Sequence, residues 1–186
     1  ILGDGYLGQM SESLELPKPT GKVFDKSSWA LTGCAGRAPY IVRSIRLTPE
    51  AALEELNLAL QATYRRVEER EVRSESLQCE DAEFLLVAFG LSARVCRSAV
   101  LHLREAGVRA GLLRPITLWP FPREALRQAA ARARRVLVVE MNAGQMVEDV
   151  RLALAEADRR PAVEFYGRTG GQVVEVQEIV KRGRQA

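Results

Sequence analysis

Residues 135–150 read RVLVVEMNAGQMVEDV. The run Arg135–Glu140 (RVLVVE) is short, apolar and β-branched, which suits a strand buried on both faces. A polar turn built around Gly144 follows. From Gln145 to Ala157, Met146, Val150, Ala153 and Leu154 recur at spacings of three and four, the apolar stripe of a helix. Strand, tight loop and helix in this order form half of a parallel crossover unit.

The same alternation extends to either side. Upstream, Glu83–Phe89 (EFLLVAF) reads as a strand, and a helix begins at Ser92 with Val95, Cys96, Ala99, Val100 and Leu103 on one face. Gly107 stops that helix. Val108–Leu113 is the next strand, and Pro122 opens a helix that turns Leu126, Ala129, Ala130 and Ala133 inward. Downstream come a strand at Ala162–Tyr166 and a last helix at Glu175–Lys181. Strands and helices alternating at this spacing predict an α/β fold, Rossmann-like, with right-handed crossovers and a mostly parallel sheet.

The first part of the chain has another character. Residues 1–47 are punctuated by Gly, Pro, Ser and Thr, as in PKPTGK at 17–22 and TGCAGRAP at 32–39. This is an irregular N-terminal arm with little core of its own, and it needs a partner surface. A long helix is expected over 48–73, with Thr48 as its cap, Pro49 in its first turn and a stripe of Leu53, Leu56, Leu60, Tyr64 and Val67. The chain opens on Ile1 rather than Met, as expected of a segment from inside a longer gene product.

Composition excludes several classes. The net charge is +3 and basic and acidic residues interleave, so nucleic-acid binding has no support. No apolar run approaches the roughly 18 residues of a membrane span, and Asp4 with its flanking glycines interrupts any signal sequence. Cys34, Cys79 and Cys96 are far apart, with no C-x-x-C spacing, so a disulfide framework, a zinc site and an iron–sulfur site are all unexpected. Such thiols fit a reducing, cytoplasmic setting.

Ligands of open α/β sheets bind beyond the carboxyl ends of the strands. Here those ends are Gly90–Ser92, Arg114–Phe121, Met141–Gln145 and Gly167–Gly171. The ligand or interface candidates they offer are Ser92, Arg114, Trp119, Glu140, Asn142, Gln145 and Arg168. Ser92 and Asn142 read most simply as helix caps, and Trp119 and Phe121 as packing or interface aromatics. Gly170–Gly171 reads as a turn. Arg168, on a loop near helix starts, suits phosphate or carboxylate best of the set, with a surface or interface ion pair as its plainer reading. Glu140 is a structural carboxylate on this reading, since no titratable partner is placed to make it an acid or base. His102, the single histidine, lacks neighbouring metal ligands. No catalytic residue and no metal ligand is expected.

Two motifs near the start are decoys. Gly3-Asp-Gly5-Tyr-Leu-Gly8 matches G-x-G-x-x-G, but only Ile1 and Leu2 precede it and Pro17 and Pro19 prevent a full-length helix after it. The same Gly-Asp-Gly would begin a thiamine-diphosphate signature, yet the first Asn is Asn57, inside the long helix and too distant.

Three segments carry a resemblance: LRPITLWPFP at 113–122, RVLVVEMNAGQMVEDV at 135–150 and VEFYGRTGG at 163–171. In this order and spacing they resemble the alpha subunit of 2-oxoacid:ferredoxin oxidoreductases, the branched-chain (2-oxoisovalerate) type above the 2-oxoglutarate type. DGYLGQMSE at 4–12 resembles the end of that subunit's thiamine-pyrimidine-binding domain, and WALTGCAGRAP at 29–39 the connector after it. Residues 83–171 also resemble, more distantly, the transketolase C-terminal domain. The likeness implies a five-stranded, mostly parallel sheet, with the strand not read above placed at Gln172–Val176. It divides the chain into a domain tail (1–16), a connector arm (17–47), a long helix (48–78) and a transketolase C-terminal-like domain (79–186).

The resemblance further implies oxidative decarboxylation of a 2-oxoacid to acyl-CoA with reduction of ferredoxin. Thiamine diphosphate, Mg, coenzyme A and iron–sulfur clusters would serve the whole complex, none bound by this fragment. Its partners would be beta, gamma and ferredoxin-like delta subunits, with ferredoxin and coenzyme A reached through the complex. This chain would scaffold and dock subunits and would be inactive alone. A stand-alone flavodoxin-like ligand-binding or regulatory domain is the alternative. A dehydrogenase that passes its acyl group to lipoyl domains fits MNAGQ and WPFP less well.

Overall fold

In a computed structural model the described residues are 3, 5–39, 41, 50–157 and 159–185. The expected cap Thr48 and its neighbour Pro49 lie outside them. The chain divides into two compact units, residues 1–10 with 65–186, and residues 11–64.

In the 11–64 unit, the residues before the helix form no strand or helix among those described. Local turns give the segment its shape. The Ser27 amide donates to Asp25 Oδ1 at 2.9 Å, and the Trp29 and Ala30 amides both return to the Lys26 carbonyl. Leu14, Leu16, Val23, Phe24, Trp29 and Leu31 are all exposed. Helix α1 spans Glu50–Arg70, three residues shorter at its end than the periodicity predicts. Of its expected stripe, Leu53, Leu56 and Val67 are half-buried, while Leu60 and Tyr64 are exposed.

The larger unit is a five-stranded sheet, β1 (Ser74–Leu77), β2 (Phe84–Ala88), β3 (Ala110–Pro115), β4 (Arg135–Glu140) and β5 (Ala162–Gly167), in spatial order β1-β3-β2-β4-β5. Its helices are α2 (Gly90–Glu105), α3 (Arg123–Ala129), α4 (Met146–Ala155) and α5 (Val176–Arg184). Strands β3, β2, β4 and β5 run parallel. The fold class is therefore as the alternation predicts. The fifth strand is β1, antiparallel to β3 at the edge, with Ser74 opposite Pro115 and Leu77 opposite Leu112. Gln172–Val176 is no strand; residues 172–175 are irregular and α5 starts at Val176. The sequence hides β1 because SESL has neither an apolar run nor a clean alternation.

Strand side chains alternate between two cores. Phe84, Leu86, Ala88, Leu137 and Val139 face α2 and α5, while Leu85, Val87, Val136 and Val138 face α3 and α4. Each fully buried Leu or Val contributes about 1.5–3 kcal/mol. Two arginine side chains and one glycine join the layers. The Arg104 guanidinium grips Asp81 with two nitrogens, at 2.6 and 3.0 Å, and reaches the Gln78 and Ala110 carbonyls, tying the β1–β2 link to α2. Arg135 forms a bidentate pair with Glu164 at 2.7 and 3.1 Å and donates to the Arg182 carbonyl in α5. Gly111 lets the same link cross β3, since a Cβ there would lie 2.7 Å from the Gln78 carbonyl oxygen and 2.9 Å from the Ala82 Cβ.

Gly111→Ala forces backbone against backbone, and a loss of about 1–3 kcal/mol in denaturant unfolding is expected. An unchanged midpoint would mean that the link moves aside at no cost. The bond from Arg135 also holds the Glu164 carboxyl below the usual carboxylate range. A depressed folded value stabilises above the ordinary Glu range, and that stability is lost as pH falls through it. A double-mutant cycle of Arg135→Gln and Glu164→Gln should give a coupling of about 0.5–1 kcal/mol near neutrality. The coupling should shrink at acid pH; a constant value would assign it to packing.

Candidate functional site

Connections leave β2 and β4 towards opposite faces of the sheet, so the crevice between their carboxyl ends is where a ligand of this topology ordinarily sits. The group that occupies it is Glu140. The side chain is fully buried, with 0% exposure. Its Oε1 accepts the Val147 amide at 3.0 Å. Its Oε2 accepts the Met146 amide at 3.0 Å, the Asn142 Nδ2 at 2.9 Å and, more loosely, the Gln145 amide at 3.4 Å. The first turn of α4 has orphan amides and no cap from Gln145, the residue in the N-cap position. Glu140 supplies the missing acceptor from the preceding strand, at the positive end of the helix dipole.

The loop is shaped to deliver this contact. Asn142 Oδ1 accepts the Gly144 amide at 2.7 Å, an Asx turn that leaves its Nδ2 free to reach Glu140. Gly144 takes φ +102, the left-handed region in which a side chain strains the backbone. At the end of β5, a Cβ on Gly167 would lie 2.5 Å from the Asn142 carbonyl oxygen and 2.4 Å from the Phe165 ring, so only glycine fits. The Glu140 carbonyl accepts the Arg168 amide at 3.1 Å, which joins the β4 and β5 ends.

The structure thus brings together Glu140, Asn142, Gln145 and Arg168, and leaves Ser92, Arg114 and Trp119 elsewhere. Two expected caps are corrected. Helix α2 begins at Gly90 with Phe89 in the N-cap position, so Ser92 is its third residue, buried rather than capping. Asn142 lies three residues before the α4 N-cap and acts through its turn. Arg114 lies within β3, not in the loop beyond it, and pairs with Glu75 at 2.8 Å. Trp119 is 57% exposed, and Phe121 packs against the α3–α4 core. Arg168 is half-buried rather than exposed: one Nη meets Gln172 Oε1 at 3.2 Å, while its Nε is shut from solvent with no acceptor. Gly170 and Gly171 form the turn, the Gln172 amide returning to the Thr169 carbonyl. His102 sits on the surface beside Glu105. The sequence could not show that Glu140 captures amides six and seven residues ahead, because backbone donors carry no residue signature.

This arrangement suits support, not proton transfer. A general base needs a lone pair that substrate can reach, and the Glu140 oxygens are closed off and bonded. The amides of α4 that could hold a diphosphate already hold Glu140. Among the described residues, no group of three His, Cys, Asp or Glu side chains is set to hold a metal ion. Cys79 and Cys96 are buried and burial raises both thiols, while Cys34 is exposed in the other unit. No helix among the described residues is long and apolar enough to cross a membrane.

Comparison with known proteins bears on the family and the fold. The chain is 42% identical over 185 residues to the ketoisovalerate oxidoreductase subunit VorB of Methanothermobacter thermautotrophicus. The match covers all of this chain and 51% of that protein, so the chain spans about half the length of the curated relative. Among solved structures, the 2-oxoglutarate:ferredoxin oxidoreductase of Magnetococcus marinus matches with TM-score 0.61 and 24% identity, over 75% of this chain and 24% of that one. A split-gene transketolase matches with TM-score 0.51 and 21% identity, over 61% of this chain and 41% of that one. At those identities the two structures show the fold alone, which is of the transketolase C-terminal kind. The family described as pyruvate:ferredoxin oxidoreductase core domain II matches residues 82–179, the span from β2 into α5. The chain belongs to that family.

Proposed function

We propose that this chain is the part of a 2-oxoacid:ferredoxin oxidoreductase subunit that carries core domain II, and that the whole complex oxidises ketoisovalerate to its acyl-CoA while reducing ferredoxin. The observation that carries this reading is the 42% identity to a ketoisovalerate oxidoreductase subunit, which runs through the arm as well as the sheet. That relative's name carries the letter B, so the alpha designation suggested by the motifs is not carried forward. The role of this chain within the complex is structural. Its strand-end groups bond to one another, and its arm presents Leu14, Leu16, Phe24 and Trp29 to a partner. Thiamine diphosphate, magnesium, coenzyme A and the clusters would be held by other parts of the complex. A stand-alone nucleotide-binding domain is disfavoured by Glu140, which fills the α4 seat that a phosphate would need.

Viologen reduction dependent on a 2-oxoacid, with thiamine diphosphate, Mg and coenzyme A, tests the reading. The chain should be inactive alone and active once the rest of the subunit and its partners are supplied, with 2-oxoisovalerate preferred. Turnover by the chain alone would overturn the proposal. Glu140→Gln sets an amide NH2 against backbone donors and should cost about 3 kcal/mol, with faster hydrogen exchange at Met146 and Val147. Activity of the reconstituted complex should fall only in step with the folded fraction. A large loss of turnover in fully folded protein would instead give Glu140 a part in the chemistry.

A further inference from the structure

The amino end of the sheet, opposite the end that Glu140 closes, carries a concentration of arginine. The turns entering β4 and β5 lie side by side there, because Arg135 pairs with Ala162 and the Ala162 amide donates to the Arg134 carbonyl at 3.1 Å. Neighbouring strands run about 4.8 Å apart, so the two turns share one corner of the surface. That corner holds Arg132 and Arg134 from one turn and Arg159 and Arg160 from the other, all exposed.

Little acid offsets them. Arg134 reaches Glu83 only at 3.8 Å, and Arg109 already grips that carboxylate. Arg132, Arg159 and Arg160 have no hydrogen bond or ion pair among the described residues. Glu156, in the turn before β5, is taken by Arg127 of α3. Even with Asp158 counted from the sequence, positive charge exceeds negative on these two turns. Several arginines elsewhere on this unit show the contrast: Arg104 holds Asp81, Arg114 holds Glu75 and Arg151 holds Glu148. Like charges crowded on adjacent turns repel one another, a cost that an anionic partner removes.

The surroundings select the kind of anion. Of the four arginines, only Arg134 lines the nearby groove of about 520 Å³, which Phe84, Val108 and Arg135 also border. The other guanidinium groups stand on open surface and enclose no seat for a small free anion. Exposed ion pairs contribute little singly, so a lone carboxylate gains no hold and several must bind together. Phe84 is 2% exposed, so the ring beside the arginines offers no face for a nucleic-acid base to stack on. A run of carboxylates carried on one polypeptide fits, each matched by a planar guanidinium fork.

We propose that the corner formed by Arg132, Arg134, Arg159 and Arg160 docks an acidic segment of a partner protein. This assignment does not depend on which 2-oxoacid the complex uses, nor on Glu140, which lies at the other end of β4.

An octaglutamate peptide with a fluorescent tag is the probe, titrated into the chain at low salt by anisotropy and by amide NMR. Binding should saturate, shift the signals of residues 131–135 and 159–162, and weaken as salt is raised. The triple variant Arg132→Gln, Arg159→Gln, Arg160→Gln changes exposed side chains alone and should keep the fold by circular dichroism. Its affinity for octaglutamate should fall about tenfold. Arg97→Gln, Arg123→Gln, Arg151→Gln removes the same net charge from exposed positions on the helices, and affinity there should stay within about twofold. A single-stranded DNA of eight nucleotides should bind less tightly than the peptide. No saturable binding, an equal loss in the two triple variants, or equal or tighter binding of the DNA would overturn the proposal.

Discussion

Two strands buried at every residue but the half-buried Arg135, β2 and β4, determine the rest of this molecule. A strand buried on both faces needs a layer above and a layer below, and α2 with α5 and α3 with α4 provide them. Once both layers are present, the carboxyl ends of these strands meet no water, and a polar group there must find partners within the protein. Glu140 is that group. Its four donors come from the loop and helix it introduces, so one buried carboxylate fixes the direction of α4, the Asx turn at Asn142 and the approach of β5 at Gly167.

The parallel core was legible because its signals are local. RVLVVE and EFLLVAF are apolar at nearly every position, and each helix between them shows its stripe. Edge strand β1 was not legible, since SESL needs only one covered face and is held by pairing with β3 and by Arg104, which lies far along the chain. The loop motifs drew attention to the right segment. MNAGQ is where the structure gathers hydrogen bonds around Glu140, with Asn142 turned to that carboxylate, while Gln145, Thr169, Gly170 and Gly171 stay exposed. Ser92 and Asn142 show the limit of residue preference. Both are good capping types, but α2 starts two residues earlier than Ser92, and at α4 the preceding strand's acid has taken the cap's place.

Family membership and this geometry bear on each other. A core domain of a large oxidoreductase keeps its fold as its partners diverge if its own strand-end groups are satisfied from within. The same sheet in other proteins leaves that end open to a ligand. Here Glu140 closes it.

The placement of β1 has a mechanical consequence. Helix α1 ends at Arg70 and the chain enters the sheet at Ser74, so tension drawn through α1 meets the Arg73 bonds to Ile116 and Thr117 and then the edge strand. Antiparallel pairing loaded from one end opens like a zip, one rung at a time from Ser74 towards Leu77. Just beyond that strand, the Arg104 grip on Gln78 and Asp81 acts as a stop, holding the link before strain can reach β2. A complex that pulls on its arms would therefore spend the edge of this sheet first and spare its centre.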